Sequence, residues 1–117
     1  MTKIRHGDVV LILFPNSDQR TTKRRPVLVV QRTNLNSGLA QTIVAMISSN
    51  LVRCGHPSRI FVGVNSGEGQ IAGLRLNSVI MTDNLATVLD SETDSVLGIY
   101  PEMKTVDTAL KHTLELV

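Results

Sequence analysis

One junction constrains the fold more than any other stretch of the chain. Three cations run into a proline and an apolar segment, Lys23-Arg24-Arg25-Pro26-Val27-Leu28-Val29-Val30. Short runs of β-branched and aliphatic residues after a turn signal are typical of buried strands. Because proline has no N–H for the ladder of a sheet, it is tolerated where a strand begins, and the sequence predicts a strand start at Pro26. The cations are then expected at the rim of a core element, where a guanidinium has the fixed direction that catalysis or recognition requires.

Short apolar runs recur along the chain between polar turns. They predict further strands at residues 9–14, 42–47, 59–64, 78–81, 85–89 and 96–100. Between two of these strands, Gly67 and Gly69 predict a hairpin-like reversal because glycine permits positive φ. A polar loop spans residues 16–25, and loops of that length between rigid strands are usually functional or mobile.

The end of the chain has the pattern of an amphipathic helix. Pro101 suits the first turn of a helix, where its missing N–H costs nothing. The helical spacing of three and four places one apolar stripe along it, Met103, Val106, Leu110, Leu114 and Val117. Many short strands followed by one helix predict a mainly β single domain over residues 1–117, built as a small bent β-barrel with a C-terminal helix.

Composition limits the classes of function. Hydrophobic residues make up 42% of the 117 residues but aromatic residues only 3%, which predicts an aliphatic core and argues against an aromatic stacking platform for nucleic acid. The net charge of +2 is small, yet Arg20, Lys23, Arg24 and Arg25 lie close together. This cluster suggests an anionic partner near the first long loop, although a solvated polar loop explains the same charges.

Metal, cofactor and membrane patterns are missing from the sequence. Cys54 is the single cysteine, and the histidines His6, His56 and His112 are far apart without companion ligands, so neither a metal site nor a cofactor is predicted. No signal peptide or apolar span is recognisable. The expected location is the cytoplasm, with no attachment to a membrane.

Three residues combine into a possible catalytic group. If the curvature of the barrel brings Arg25 and Ser48 together, they offer a fixed cation and a hydroxyl to the negative charge that builds on a phosphodiester in its transition state. RNA fits in particular, because its 2′-hydroxyl is the nucleophile and needs no metal. Asp18 would then assist proton transfer. Alternatively, Ser48 and Ser49 only satisfy backbone groups at the end of a strand.

Five segments in order resemble the MazF/PemK toxins of bacterial toxin–antitoxin systems. The segments are His6-Gly7-Asp8-Val9-Val10, Ser17-Asp18-Gln19, Arg25-Pro26-Val27-Leu28-Val29-Val30-Gln31, Ile43-Val44-Ala45-Met46-Ile47-Ser48-Ser49 and Ser78-Val79-Ile80-Met81-Thr82-Asp83. The resemblance implies an SH3-like, CcdB/PemK-type small barrel that forms a homodimer. It also implies a sequence-specific, metal-independent endoribonuclease that cuts single-stranded RNA to a 2′,3′-cyclic phosphate and a 5′-hydroxyl. A small antitoxin is implied as well, with a disordered tail that occupies the RNA groove.

The same resemblance assigns roles by position. Arg25 is the expected catalytic arginine, Ser48 stands where the family usually has threonine, and Asp18 stands where it often has glutamate. The RNA-binding residues are expected to be Gln19, Arg20, Lys23, Arg24, Ser49, Asn50 and Asp83. Residues 84–87 lack the arginine that the family often has after its fifth strand, a loss for which phosphate contacts from Arg20, Lys23 and Arg24 would compensate.

Two alternatives remain open from the sequence. The replacement of threonine by Ser48 and the missing arginine would also suit a catalytically silent CcdB/PemK-type barrel that acts by binding a protein partner. A third interpretation is autoregulation by DNA binding. The chain has no helix-turn-helix pattern, so DNA binding is expected only together with the antitoxin.

Overall fold

The computed structural model describes residues 4–15 and 18–117. Asn16 and Ser17, at the start of the predicted loop and of one resembling segment, lie outside the described residues. Six strands are present, β1 (Asp8–Pro15), β2 (Thr22–Val29), β3 (Gln41–Ser48), β4 (Arg59–Val62), β5 (Ser78–Leu89) and β6 (Thr93–Ile99). The helices are α1 (Gly67–Ile71) and α2 (Met103–Leu114), and 3-10 turns occupy Leu51–Arg53 and Asp90–Glu92.

The strands form one antiparallel sheet in the order β4-β5-β3-β2-β1-β6. The mainly β class with a C-terminal helix is therefore confirmed. In the described part of the chain the edge strands β4 and β6 do not pair with each other, so the bent sheet is barrel-like without being closed by hydrogen bonds.

The start predicted for the second strand was wrong. β2 begins at Thr22 and its first residues pair along β1, with Pro15 opposite Thr22 and Leu11 opposite Pro26. Its ladder to β3 includes only residues 27–29, so residues 22–26 have a free edge on that side. A proline is tolerated beside such an edge, which is why Pro26 lies inside the strand and not at its first position. Arg25 is consequently a strand residue, beside the free edge.

Both faces of the sheet are covered by apolar side chains, as the uninterrupted apolar runs predicted. One buried cluster includes Val9, Leu28 and Ala45 and packs against Val106 of α2. The other lies on the opposite face and consists of Val10, Ile12, Val27, Val29, Val44 and Val88. Because successive residues of a strand point to opposite faces, each central strand contributes to both clusters and is held in one register.

The two strands predicted at 78–81 and 85–89 are one strand with an irregularity in the middle. In the ladder with β3, Ala45 lies opposite Leu85 while Met46 lies opposite Met81. Residues 82–84 are therefore inserted on β5 without partners on β3. Such a bulge bends a strand and increases its twist, and here it curls the sheet between its two halves.

The helices differ in detail from the prediction. The reversal predicted at Gly67 and Gly69 was wrong, because these residues form α1, in which the hydroxyl of Ser66 accepts a hydrogen bond of 3.0 Å from the Gly69 N–H. α2 begins at Met103 and not at Pro101. Within its stripe Val106 is buried, and Met103 and Leu110 are half-buried against the core, which agrees with the expected packing face. Leu114 is exposed and Val117 lies beyond the helix.

Candidate active site

The end of the β2–β3 ladder brings the two central residues of the sequence prediction to the same place. The ladder stops at the pair Val27 and Met46, beyond which the two strands separate. Arg25 lies two residues before Val27, and Ser48 lies two residues after Met46. Because side chains alternate along antiparallel strands, both residues belong to the same face, as cross-strand neighbours do.

A cavity of about 520 Å³ opens where the strands separate. Its polar wall comes from β2 and from the end of β3, with Arg25 on one strand and Ser48 on the other. The apolar part of the wall is made by Leu11, Pro26, Ile47, Leu74, Leu76 and Leu97. Segment 73–76, which follows α1, completes the enclosure together with Ser78.

The charges that line the cavity have one sign. Within the described part of the chain, its wall includes the cations Lys23, Arg24, Arg25 and Arg75 and no carboxylate. Arg24 forms an ion pair from its Nε to Asp94 Oδ2 at 2.9 Å, and among the described residues the other three cations form none. A concave cationic surface focuses positive potential, so the cavity suits a polyanion.

Arg25 is directed by its neighbours on β1. It lies opposite Ile12, a fully buried residue, and its guanidinium carbon is 5.7 Å from the centroid of the Phe14 ring. A guanidinium over an aromatic face is attracted by the ring quadrupole. Arg25 is exposed and lines the cavity.

The hydroxyl of Ser48 is oriented by the backbone that follows it. Ser48 Oγ accepts a hydrogen bond of 3.1 Å from the Asn50 N–H, while Asn50 Oδ1 accepts one of 3.2 Å from the Val52 N–H. Ser48 thus accepts a hydrogen bond from a backbone N–H group at the end of β3, the alternative role that the sequence predicted for it. Because its oxygen is the acceptor in this bond, its own proton stays available for donation to a group in the cavity.

Asp83 supports the turn after β3 and is absent from the cavity wall. Its Oδ2 accepts a hydrogen bond of 2.8 Å from Arg59 Nη2, and Arg59 Nη1 donates one of 3.2 Å to the carbonyl of Arg53. The hydrogen bond from Arg59 holds the pKa of Asp83 below its usual value. Asp83 therefore anchors the 3-10 turn next to Asn50 through Arg59.

The described residues of the loop before β2, residues 18–21, do not contribute to the cavity. Asp18 Oδ1 accepts hydrogen bonds from the N–H groups of Arg20 at 2.9 Å and Thr21 at 3.1 Å, and these lower its pKa. A carboxylate with a lowered pKa is a weak base. Gln19 has a left-handed φ of 58° and is exposed, as is Arg20. The cavity thus brings together Arg25, Ser48, Lys23, Arg24, Ser49 and Asn50, but not Asp18, Gln19, Arg20 or Asp83.

Sequence reasoning missed Arg75. No sequence motif surrounds this arginine, which lies between a glycine-containing segment and a strand. Its position in the cavity wall follows only from the tertiary structure, which places residues 73–76 there.

Two features are absent from residues 4–15 and 18–117, a helix that could span a membrane and a cluster of metal ligands. Neither helix there has the length and apolar character needed to cross a membrane. No three His, Cys, Asp or Glu side chains of that part are grouped so that they could hold a metal ion.

Comparisons with known proteins agree with one another. Residues 5–114 match the sequence profile of a family described as PemK-like, MazF-like toxin of type II toxin–antitoxin system. The chain is 32% identical over 107 residues to "Endoribonuclease MazF2" of Mycobacterium bovis and equally to "Endoribonuclease MazF6" of Mycobacterium tuberculosis, covering 89% of this chain and 90% of each relative.

Solved structures share the fold. A mycobacterial endoribonuclease in complex with its cognate antitoxin superimposes with a TM-score of 0.73 at 20% identity, covering 97% of each chain. A MazE–MazF complex from Deinococcus radiodurans gives a TM-score of 0.73 at 16% identity, covering 100% of each chain. The expected small barrel of this fold class is therefore confirmed.

Proposed function

Because the chain belongs to the PemK-like, MazF-like toxin family and is an endoribonuclease toxin of a type II toxin–antitoxin system, we propose that it cuts single-stranded RNA at short recognition sequences without a metal cofactor. One observation carries this proposal. Arg25 and Ser48, predicted as the catalytic pair, line the same cavity where β2 and β3 separate.

The proposed reaction is an internal transesterification. The 2′-oxygen attacks the adjacent phosphorus, the bond from phosphorus to the 5′-oxygen breaks, and the products are a 2′,3′-cyclic phosphate and a 5′-hydroxyl. The proton of the 2′-hydroxyl leaves to a base, and the 5′-oxygen takes up a proton. Negative charge on the nonbridging oxygens peaks in the transition state, where Arg25 supplies a cation and Ser48 a hydroxyl donor.

The resemblance proposes Asp18 as the proton acceptor. Its hydrogen bonds to the loop backbone and its absence from the cavity wall do not support that role. Lys23, Arg24, Ser49 and Asn50 are proposed RNA-binding residues, and their positions in the wall support this assignment. Gln19, Arg20 and Asp83 are proposed on the resemblance alone.

We propose the partners by the same reasoning. A cognate antitoxin would occupy the cationic cavity with a disordered tail and so exclude RNA, and DNA would be bound only together with that antitoxin. The chain would act as a homodimer in the cytoplasm. Half-exposed apolar residues on the edge strand β6, Val96 and Ile99, support an association between copies.

The decisive experiment compares wild type with Arg25→Ala on a long single-stranded RNA in excess EDTA. Discrete cuts with 5′-hydroxyl ends are expected from the wild type. Loss of a charge-stabilising donor should slow cleavage by at least about 100-fold in Arg25→Ala. Arg32→Ala is the matched control, because Arg32 is exposed and lies outside the cavity wall.

Two results would contradict the proposal. Cleavage by Arg25→Ala at the wild-type rate would remove Arg25 from the active site. A folded wild type that makes no cuts in EDTA would contradict metal-independent cleavage and favour the silent barrel that binds a protein partner.

A further inference from the structure

We propose that Arg75 is a second phosphate-binding residue of the cavity, which holds a phosphodiester of the RNA next to the one bound at Arg25. This inference rests on the proposed cleavage of single-stranded RNA. It adds a residue that no sequence motif singled out and that lies outside the strands bearing the catalytic pair.

Arg75 lines the cavity, and its guanidinium has no partner among the residues that the structure describes. Arg24 is paired with Asp94, and Arg59 is paired with Asp83. Among the described residues Arg75 makes neither an ion pair nor a side-chain hydrogen bond. The described residues of the cavity wall include no carboxylate that could pair with Arg75. An unpaired arginine in a concave cationic wall is matched to a phosphate.

The backbone before Arg75 is held in place by packing. Leu74 is 8% exposed and belongs to the core cluster that packs against α2. Gly73 has a φ of 74°, and a Cβ at that position would collide with the carbonyl oxygen of Leu97. The N–H groups of Gly73 and Leu74 donate hydrogen bonds of 3.1 Å to Gln70 and Gly69. The backbone that precedes Arg75 is therefore fixed by packing and hydrogen bonds.

The backbone after Arg75 is held by two side chains. Asn77 Oδ1 accepts a hydrogen bond of 2.8 Å from the Val64 N–H, and Ser78 Oγ donates one of 2.8 Å to the carbonyl of Leu76. A cation that extends from a segment anchored on both sides loses less freedom on binding than one on a free loop.

The order of the strands places Arg75 on the other side of Ser48 from Arg25. β3 lies between β2 and β5 in the sheet, and Ser48 pairs with Val79 at the start of β5. Segment 73–76 leads into that start. Arg25 thus lies on the β2 side of Ser48, and Arg75 lies in the segment that leads into β5, an arrangement that suits two consecutive phosphates of one strand with the reacting bond at Ser48.

A binding experiment tests this inference without requiring cleavage. The probe is a fluorescent 2′-O-methyl oligoribonucleotide, which lacks the nucleophilic hydroxyl, titrated by anisotropy at several salt concentrations. Arg75→Ala should weaken binding about tenfold, as expected for the loss of a charge-assisted contact. It should lower the slope of log Kd against log salt by about 0.7, the value for one phosphate contact with a single strand.

Matched variants separate this role from a structural one. Arg32→Ala removes the same charge from a site outside the cavity wall and should leave affinity and slope as in the wild type. Arg75→Lys should keep most of the slope because the charge remains. Circular dichroism shows whether Arg75→Ala is folded. If it is not, Arg75→Gln is used for the same binding measurement.

The outcomes distinguish the two proposals. If Arg75→Ala and Arg75→Gln bind like Arg32→Ala, with the same slope, while the wild type cleaves RNA, Arg75 has no phosphate contact and only this inference fails. If the wild type neither cleaves RNA nor binds the probe, the proposed function fails and this inference fails with it.

Discussion

Two side chains carry the proposed chemistry at the scale of single residues. Arg25 is directed by the Phe14 ring, and the oxygen of Ser48 accepts the Asn50 N–H, which leaves the serine proton free. Neither side chain forms an ion pair with another of the described residues. The pair is therefore preorganised by packing and by the backbone, which is how a site stabilises developing charge without reorganising during the reaction.

Ser48→Ala should lower the single-turnover cleavage rate about 100-fold, because it removes one donor from the transition state. Ser48→Thr should stay within a few-fold of the wild type, since it keeps the hydroxyl and adds a methyl that restricts χ1. Rates measured at saturating enzyme test both. An unchanged rate in Ser48→Ala would leave Ser48 with its backbone role alone.

At the scale of elements, the turn after β3 is held by a chain of contacts. Asp83 is inserted in β5 by the bulge, binds Arg59 of β4, and Arg59 reaches the Arg53 carbonyl in the 3-10 turn. The bulge thus places a carboxylate where a regular strand would have placed a residue paired with β3. Asp83 is thus linked through Arg59 to the turn that follows Asn50, a residue of the cavity wall.

Asp83→Asn should destabilise the protein by about 1 kcal/mol at neutral pH, the upper range for a partly exposed ion pair. Because the folded protein lowers the pKa of Asp83, the pair contributes stability above the usual aspartate pKa of about 3.9 and loses it as the pH falls further. The difference between wild type and variant should therefore be present at pH 7 and shrink below about pH 4.

Urea denaturation at several pH values measures this difference. Asp94→Asn is the control, since its partner Arg24 is much more exposed, with 62% of its side chain accessible against 26% for Arg59. Asp94→Asn should lower the free energy of unfolding less than Asp83→Asn does. A difference for Asp83→Asn that persists unchanged at low pH would contradict the assigned role of its charge.

At the scale of the whole molecule, the sheet leaves apolar surface at its edge. β6 is an edge strand, and Ile99 on it is 54% exposed. Edge strands are available for pairing or packing with a second copy.

Light scattering during size-exclusion chromatography should give the mass of two chains for the purified protein. The physical reason is the apolar surface at β6, which a second copy would cover. The mass should fall towards one chain on dilution if the association is reversible. A mass of one chain at all concentrations would contradict the proposed homodimer.

The sequence by itself determined the class of the fold and the family. Apolar runs, turn residues and the stripe of α2 are local patterns, so they predict strands buried on both faces and one terminal helix. The motifs around Arg25 and Ser48 also depend only on neighbours in the chain. These two residues were predicted as a pair, and both line the cavity.

Only the tertiary structure decided which residues share the site. β2 starts before Pro26 because β1 is available as a partner, and the cavity exists because the β2–β3 ladder stops at Val27. Arg75 lies in the cavity wall next to Leu74, which packs in the core. Asp83 lies outside the wall and pairs with Arg59. Each of these depends on contacts between segments distant in sequence, and local pattern and charge carry no information about them.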